Sequence, residues 1–178
     1  SPKIFNSWVN ILKNTKDSIL WILAENDIAK ENILKEAMKG NINVSRIIFA
    51  NKIPLPEYLA RFKLADLFLD TFPYSAGTVA SDALRMGLPL IAIQGKTFSS
   101  RMSSSLLHAI NMPELVTESI MDYETLAITL HDDQEKYQKV KIKMQDGLRG
   151  SALFDIKRTT KSIESVFNLI YERFQQNE

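Results

Sequence analysis

Residues 67–95, LFLDTFPYSAGTVASDALRMGLPLIAIQG, constrain the fold of this chain more than any other stretch. An apolar run ends at Asp70. A loop with Pro73, Ser75, Ala76 and Gly77 follows, and Thr78 to Met86 then show helical spacing. Gly87 and Pro89 stop that pattern before a second apolar run. The order is strand, small-residue loop, helix, strand. Strands joined through a helix run parallel, because the helix returns the chain to the edge it left. The loop therefore brings the free N–H groups of a helix N-terminus to the C-terminal edge of a parallel sheet, where they can hold an anion. Asp82 lies one turn after Thr78 on the same face. A carboxylate there repels phosphate but accepts hydrogen bonds from sugar hydroxyls beside one. The pattern predicts a nucleotide or nucleotide-sugar site. The competing reading is a doubly wound protein whose loop binds nothing, since a small-residue loop is less specific than a complete phosphate-loop motif.

The flanking sequence repeats the alternation. Ile4, Phe5, Trp8, Val9, Ile11 and Leu12 form a helical stripe over 3–14, and SILWILA (18–24) reads as a short buried strand. A helix is predicted over 29–39, with Gly40 as its C-cap, and a strand over 46–51. Pro54 and Pro56 punctuate the next loop; Pro56 suits a first helical position, and EYLARFKLA continues the helix. LFLDT and LPLIAIQ are the third and fourth strands, and ELVT (114–117) a short fifth. Beyond it the chain reads as helical: MDYETLAITLHDDQEKYQKVKIKMQDGL is one long helix or two, and Gly147 and Gly150 are expected to flank a break. A closing helix over 157–175 carries Ile163, Val166, Phe167, Ile170, Tyr171 and Phe174 on one stripe. The fold class expected is α/β, a Rossmann-like parallel sheet with helices on both faces.

The length of 178 residues fits one domain, 1–178. A net charge of +1 argues against a nucleic-acid or anionic-membrane partner. The lysines of KYQKVKIKMQ alternate with apolar residues at helical spacing, as on a solvated helix face. The absence of cysteine excludes disulfides, thiolate metal sites and a thiol nucleophile, and fits a reducing, cytoplasmic setting. The apolar runs are too short to span a bilayer. The chain begins without an initiator Met and enters a helix almost at once, so it is expected to be a piece of something longer.

Few other residues carry chemistry. His108 and His131 are remote in sequence from the loop and read as packing or surface groups; neither is placed as a general base. Asp132 and Asp133 read as a solvated turn, and no cluster has metal-ligand spacing. Asp70 is either a cap for the loop or a ligand contact. Arg61 is a surface helix arginine or a binding residue. Arg101 is a salt-bridge partner or a phosphate contact. Tyr74 packs on a donor or on the neighbouring helix. Trp8 and Trp21 fit core positions.

Two segments, DTFPYSAGTVASDALRMGLPLI and GKTFSSRMSSSLLHAINMPELV, resemble the C-terminal lobe of the protein O-GlcNAc transferase family, its bacterial members above all. SPKIFNSWVNILKNTKDSILWIL, RIIFANKIPLPEYLARFKLADLFLD and SALFDIKRTTKSIESVFNLIYERF are similar to that family's flanking segments, so the resemblance covers essentially the whole chain. It implies a GT-B glycosyltransferase, two facing Rossmann-like lobes with the sugar-nucleotide mostly on the C-terminal one. It further implies UDP or UDP-GlcNAc as donor, no metal and no cofactor, and a protein or peptide acceptor. Carried over by position, Thr78 and Val79 hold the diphosphate through backbone N–H groups, with Gly77 just before them. Asp82 meets the ribose, Arg61 stands near the nucleotide, and Ile53 and Leu55 lie against the uracil. Three departures stand out. Gly77 occupies a position where many members carry His, Val79 one where they carry Thr, and Leu55 one where some carry Lys. Each lost donor to a charged phosphate is worth about 1.5–3 kcal/mol if made. The family's Lys-Ile pair before the first helix and its N-terminal lobe with the catalytic histidine are not in these residues, so the resemblance puts no catalytic residue in this chain. The alternatives are a nucleotide-binding or scaffolding module without transfer, or another GT-B sugar-nucleotide enzyme such as an epimerase.

Overall fold

The computed structural model describes residues 1–176. Helix α1 (Pro2–Asn14) takes Pro2 into its first turn, where a missing N–H is harmless, and buries Ile4, Val9, Ile11 and Leu12. Strand β1 (Leu20–Leu23) follows. Helix α2 (Asp27–Lys39) starts on Asn26, whose side chain accepts from the Ala29 N–H, and ends on Gly40 as the C-cap. A side chain at Gly40 would collide with Val9, its Cβ falling 2.4 Å from Val9 Cγ1, so the glycine lets α2 close onto α1. Then come β2 (Ile47–Ala50), α3 (Leu55–Arg61), β3 (Phe68–Leu69), α4 (Thr78–Arg85), β4 (Leu90–Ile93), α5 (Met102–Ala109) and β5 (Val116–Thr117). The helices α6 (Ile120–Asp132), α7 (Gln134–Gly150) and α8 (Ile156–Gln175) complete the order.

Every strand pairing is parallel, with Leu20 opposite Ile47, Phe68 opposite Leu90 and Ala92 opposite Val116. The strands form two ladders, β1-β2 and β3-β4-β5. β4 is buried along its whole length, as a parallel strand covered on both faces must be. Around it pack Leu84 from α4, Leu107 from α5, Tyr123 and Leu130 from α6, and Met144 from α7. A second cluster joins Val9 and Leu12 of α1 to Ala37 of α2 and Ile47 of β2.

Two expectations need correction. The helix after Pro56 stops as an α-helix at Arg61 and tightens to a 3-10 turn over Phe62–Leu64. The long C-terminal helical stretch is two helices that meet at Asp133, whose carboxylate accepts the Lys136 N–H at 2.8 Å, and the expected break comes directly after Gly150, ahead of α8. Gly147 lies inside α7: a Cβ there would sit 2.1 Å from the Ile110 carbonyl oxygen, so glycine serves close packing instead of a turn. The α8 stripe is real but uncovered. No α8 residue is buried, and Phe167 and Phe174 are 66% and 74% exposed.

Candidate functional site

The loop between β3 and α4 is fastened before the helix begins. Asp70 Oδ1 accepts the N–H groups of Thr71 and Ala76, each at 2.8 Å. Ser75 donates its N–H and its hydroxyl to the Ser99 carbonyl at 2.9 and 2.8 Å. Ser103 Oγ donates to the Ala76 carbonyl at 2.6 Å. Just after β3, the Asp70 carbonyl accepts the Tyr123 hydroxyl at 3.0 Å, and Trp8 Nε1 donates to that hydroxyl at 3.1 Å. The peptide between Phe72 and Pro73 is cis. Asp70 is thus the loop's cap. Burial pushes its carboxyl up, against the N–H of Ala76, the Ser103 hydroxyl and the N–H of Thr71, which favour the charged form. Its Oδ2 is buried without a hydrogen bond.

This fastening sets the start of α4. Gly77 is the N-cap and supplies no side-chain cap, and the first turn carries no acidic residue. Ser81 is the first residue of the helix whose N–H returns to a backbone carbonyl, that of Gly77 at 3.0 Å. The N–H groups before it are the donors a helix start leaves free. Thr78 and Val79 are exposed, while Ala80 is fully buried and fixes the helix to the core. A Cβ at Gly77 would meet only Met102 Cε at 3.6 Å, an ordinary contact.

Asp82 is half-buried one turn on. It faces α3: burial raises the Tyr58 phenol, the Asp82 charge raises it further, and Arg61 opposes both. Tyr58 and Arg61 stand one turn apart on α3, and the Asp82 charge of α4 is felt by the Tyr58 phenol. Arg61 is also a fastener. Its Nη2 donates to the Asn51 carbonyl at 2.8 Å, and its guanidinium lies over the Trp21 ring at 5.3 Å. It holds the 51–54 segment in which Ile53 is half-buried, and Leu55, 65% exposed, opens α3. The structure thus puts Gly77, Thr78 and Val79 at the start of α4 with Asp82 one turn on, Arg61 at the end of α3, Leu55 at its start and Ile53 just before it.

Tyr58 was not singled out by the sequence; the signal available was its place one helical turn before Arg61. Trp21 is corrected from core to a surface ring, 36% exposed beneath Arg61. Trp8 is half-buried against the main core, as expected. Tyr74 is 74% exposed. Arg101 makes no ion pair among the described residues. It lines a cleft of about 290 Å³ with Gln94, Phe98, Met102 and His108, and His108 is an exposed surface group there. His131 bridges Asp132 at 2.8 Å and the Lys16 carbonyl at 3.1 Å, a structural tie. Among the described residues no group of His, Asp or Glu could hold a metal ion, and no helix is long and apolar enough to cross a membrane.

A parallel α/β lobe that presents an uncapped helix start at the C-terminal edge of its strands is one half of the two-lobed GT-B architecture. The chain belongs to glycosyl transferase family 41, whose pattern matches residues 1–163. It is 30% identical over 174 residues to the UDP-N-acetylglucosamine–peptide N-acetylglucosaminyltransferase of Caenorhabditis elegans, a match covering 98% of this chain and 15% of that protein. It is 29% identical over 164 residues to the probable enzyme of that name, SEC, of Arabidopsis thaliana, covering 92% of this chain and 17% of that one. A mutant of Thermobaculum terrenum O-GlcNAc transferase superposes with a TM-score of 0.91 at 23% identity, over all of this chain and 35% of that structure. The chain therefore spans less than a fifth of the curated relatives it matches.

Proposed function

We propose that this chain is the donor-binding lobe of a UDP-sugar-dependent, cytoplasmic protein glycosyltransferase of the bacterial type, with UDP-GlcNAc as the donor. The observation that carries the reading is the free N-terminus of α4 with the half-buried Asp82 one turn inside it. The N–H groups of Thr78 and Val79 take the diphosphate, with Gly77 leaving the approach open. Asp82 accepts from the ribose hydroxyls. Ile53 and Leu55 offer apolar surface to the base, and Arg61 keeps that segment in place. The general base and the acceptor site belong to the partner lobe of a longer protein of which 1–178 is a single domain. A binding module without transfer is the second reading, because Gly77, Val79 and Leu55 carry no side-chain donor.

An amide NMR titration with UDP tests the site. Shifts concentrated at residues 76–82, with a dissociation constant between high micromolar and millimolar (about −4 to −6 kcal/mol), are expected when only one lobe contributes contacts. Unmoved amides over 76–82 at millimolar UDP overturn the assignment.

A further inference from the structure

A second recess lies at the same edge of the strands as the start of α4. Gln94 follows the end of β4 as Asp70 follows the end of β3, and the two strands are parallel neighbours. That edge is where open α/β sheets take up ligands. The recess is the 290 Å³ cleft lined by Gln94, Phe98, Arg101, Met102, Ser105 and His108. It adjoins the proposed donor site. Met102 Cε lies 3.6 Å from the position a Cβ would take on Gly77, the N-cap of α4. The Ser99 carbonyl accepts the Ser75 N–H at 2.9 Å, and Ser103 Oγ donates to the Ala76 carbonyl at 2.6 Å. The loop that sets α4 is thus fastened to the connector that walls the cleft.

The walls are preformed. The Gln94 N–H donates to the Thr117 carbonyl at 2.8 Å, and the Gly95 N–H to the Ser100 carbonyl at 3.0 Å. The Thr97 N–H donates to Ser100 Oγ at 3.0 Å, and a Cβ on Gly95 would collide with Ser100. The functional ends of the lining residues are unspent. Among the described residues, the Arg101 guanidinium, the His108 ring and the Gln94 side-chain amide make no hydrogen bond or ion pair, and no carboxylate lines the cleft. Basic groups elsewhere are tied into the fold: Arg46 to the Thr15 and Ser18 carbonyls, Arg61 to that of Asn51, His131 to Asp132 and Lys16. Arg101 and His108 are both exposed and stand two turns apart on one face of α5, with Arg101 as its N-cap.

A cleft with two basic side chains, one amide and no acid suits an anion. Its length chooses among anions. Two turns of helix rise about 10 Å, too far for one carboxylate or phosphate to bond both bases at once. An extended polypeptide sets side chains i and i+2 on one side about 7 Å apart, and the reach of glutamate and arginine covers the difference. Phe98, 77% exposed, and Met102 offer apolar surface to the backbone between them. We infer that this cleft binds an acidic segment of polypeptide, one carboxylate forked on the Arg101 guanidinium and a second at His108. Its role rests on the donor-lobe reading: the segment flanks the acceptor hydroxyl, which the partner lobe holds.

The test titrates chain 1–178 with the capped peptide Gly-Glu-Ser-Glu-Gly, its counterpart Gly-Gln-Ser-Gln-Gly and inorganic phosphate, read by amide NMR. The pH is 6, where an ordinary histidine is mostly cationic. The glutamate peptide is expected to shift amides across 94–108 with a millimolar dissociation constant, and the glutamine peptide to bind about tenfold more weakly. Arg101→Gln and His108→Gln should each loosen the glutamate peptide about fivefold, the worth of one exposed ion pair, and leave the UDP shifts at 76–82 as in the parent. Both side chains are exposed and bond nothing in the fold, so the variants should keep the parent spectrum elsewhere. Three results would overturn the inference. Equal binding of the two peptides would remove the charge recognition. Displacement of the glutamate peptide by equimolar phosphate would make the cleft a free-anion site. Loss of UDP affinity in Arg101→Gln as large as the loss of peptide affinity would make Arg101 a diphosphate contact. Peptide shifts at 94–108 without UDP shifts at 76–82 would uphold the cleft and remove the donor reading, so the two fail separately.

Discussion

At the residue scale, two aspartates twelve positions apart illustrate opposite uses of one side chain. Asp82 stays half-buried, its charge felt by the Tyr58 phenol, and can accept hydrogen bonds from hydroxyls. Asp82→Ala should weaken UDP binding by about tenfold, the worth of one or two hydrogen bonds to a charged group, and leave inorganic pyrophosphate binding nearly unchanged. Paired calorimetric titrations with the two ligands check this, and equal losses would remove Asp82 from the ribose. Asp70 is spent on the loop. Asp70→Ala strands the N–H groups of Thr71 and Ala76 and should cost about 2 kcal/mol in urea unfolding. The acid side follows from burial. The folded carboxyl is raised above its ordinary value of 3.8, so between those two values the folded state holds more protons than the unfolded one. Stability from this group therefore falls as pH rises through the window and grows as pH drops. Relative to Asp70→Asn, which does not titrate, the parent chain should gain stability on acidification toward pH 4. A stability difference between the two that is independent of pH would refute the buried charge.

At the scale of elements, α4 and α8 have nearly equal amphipathic patterns and different fates. α4 seats Ala80, Ala83 and Leu84 in the core, so its start is held rigidly where the loop ends. α8 buries nothing. Removal of residues 156–178 should change the unfolding free energy of the chain by less than about 1 kcal/mol, because no buried apolar area is lost. Thermal melts of both forms decide it, and a large drop in Tm would mean that α8 packs on the lobe in solution.

At the scale of the whole molecule, the proposed donor-binding lobe would supply one wall of a cleft. Of its histidines, His131 is tied to Asp132 and Lys16, His108 lines the cleft beside Arg101, and the proposed general base belongs to the other lobe. No transfer from UDP-GlcNAc to peptide should be measurable with these residues alone. Turnover detected by a radiolabelled donor assay would refute that. The sequence by itself determined the alternation of strands and helices, the parallel sense of the sheet, the helix start at Thr78 and the place of Asp82. All of these follow from short-range periodicity and turn chemistry, which a single segment expresses. Gly147 as a packing residue and Trp21 as a platform for Arg61 were decided by tertiary structure. So was the division of the described strands into two ladders. In each, the partner lies far along the chain, and which surfaces meet is set by how helices and strands pack together.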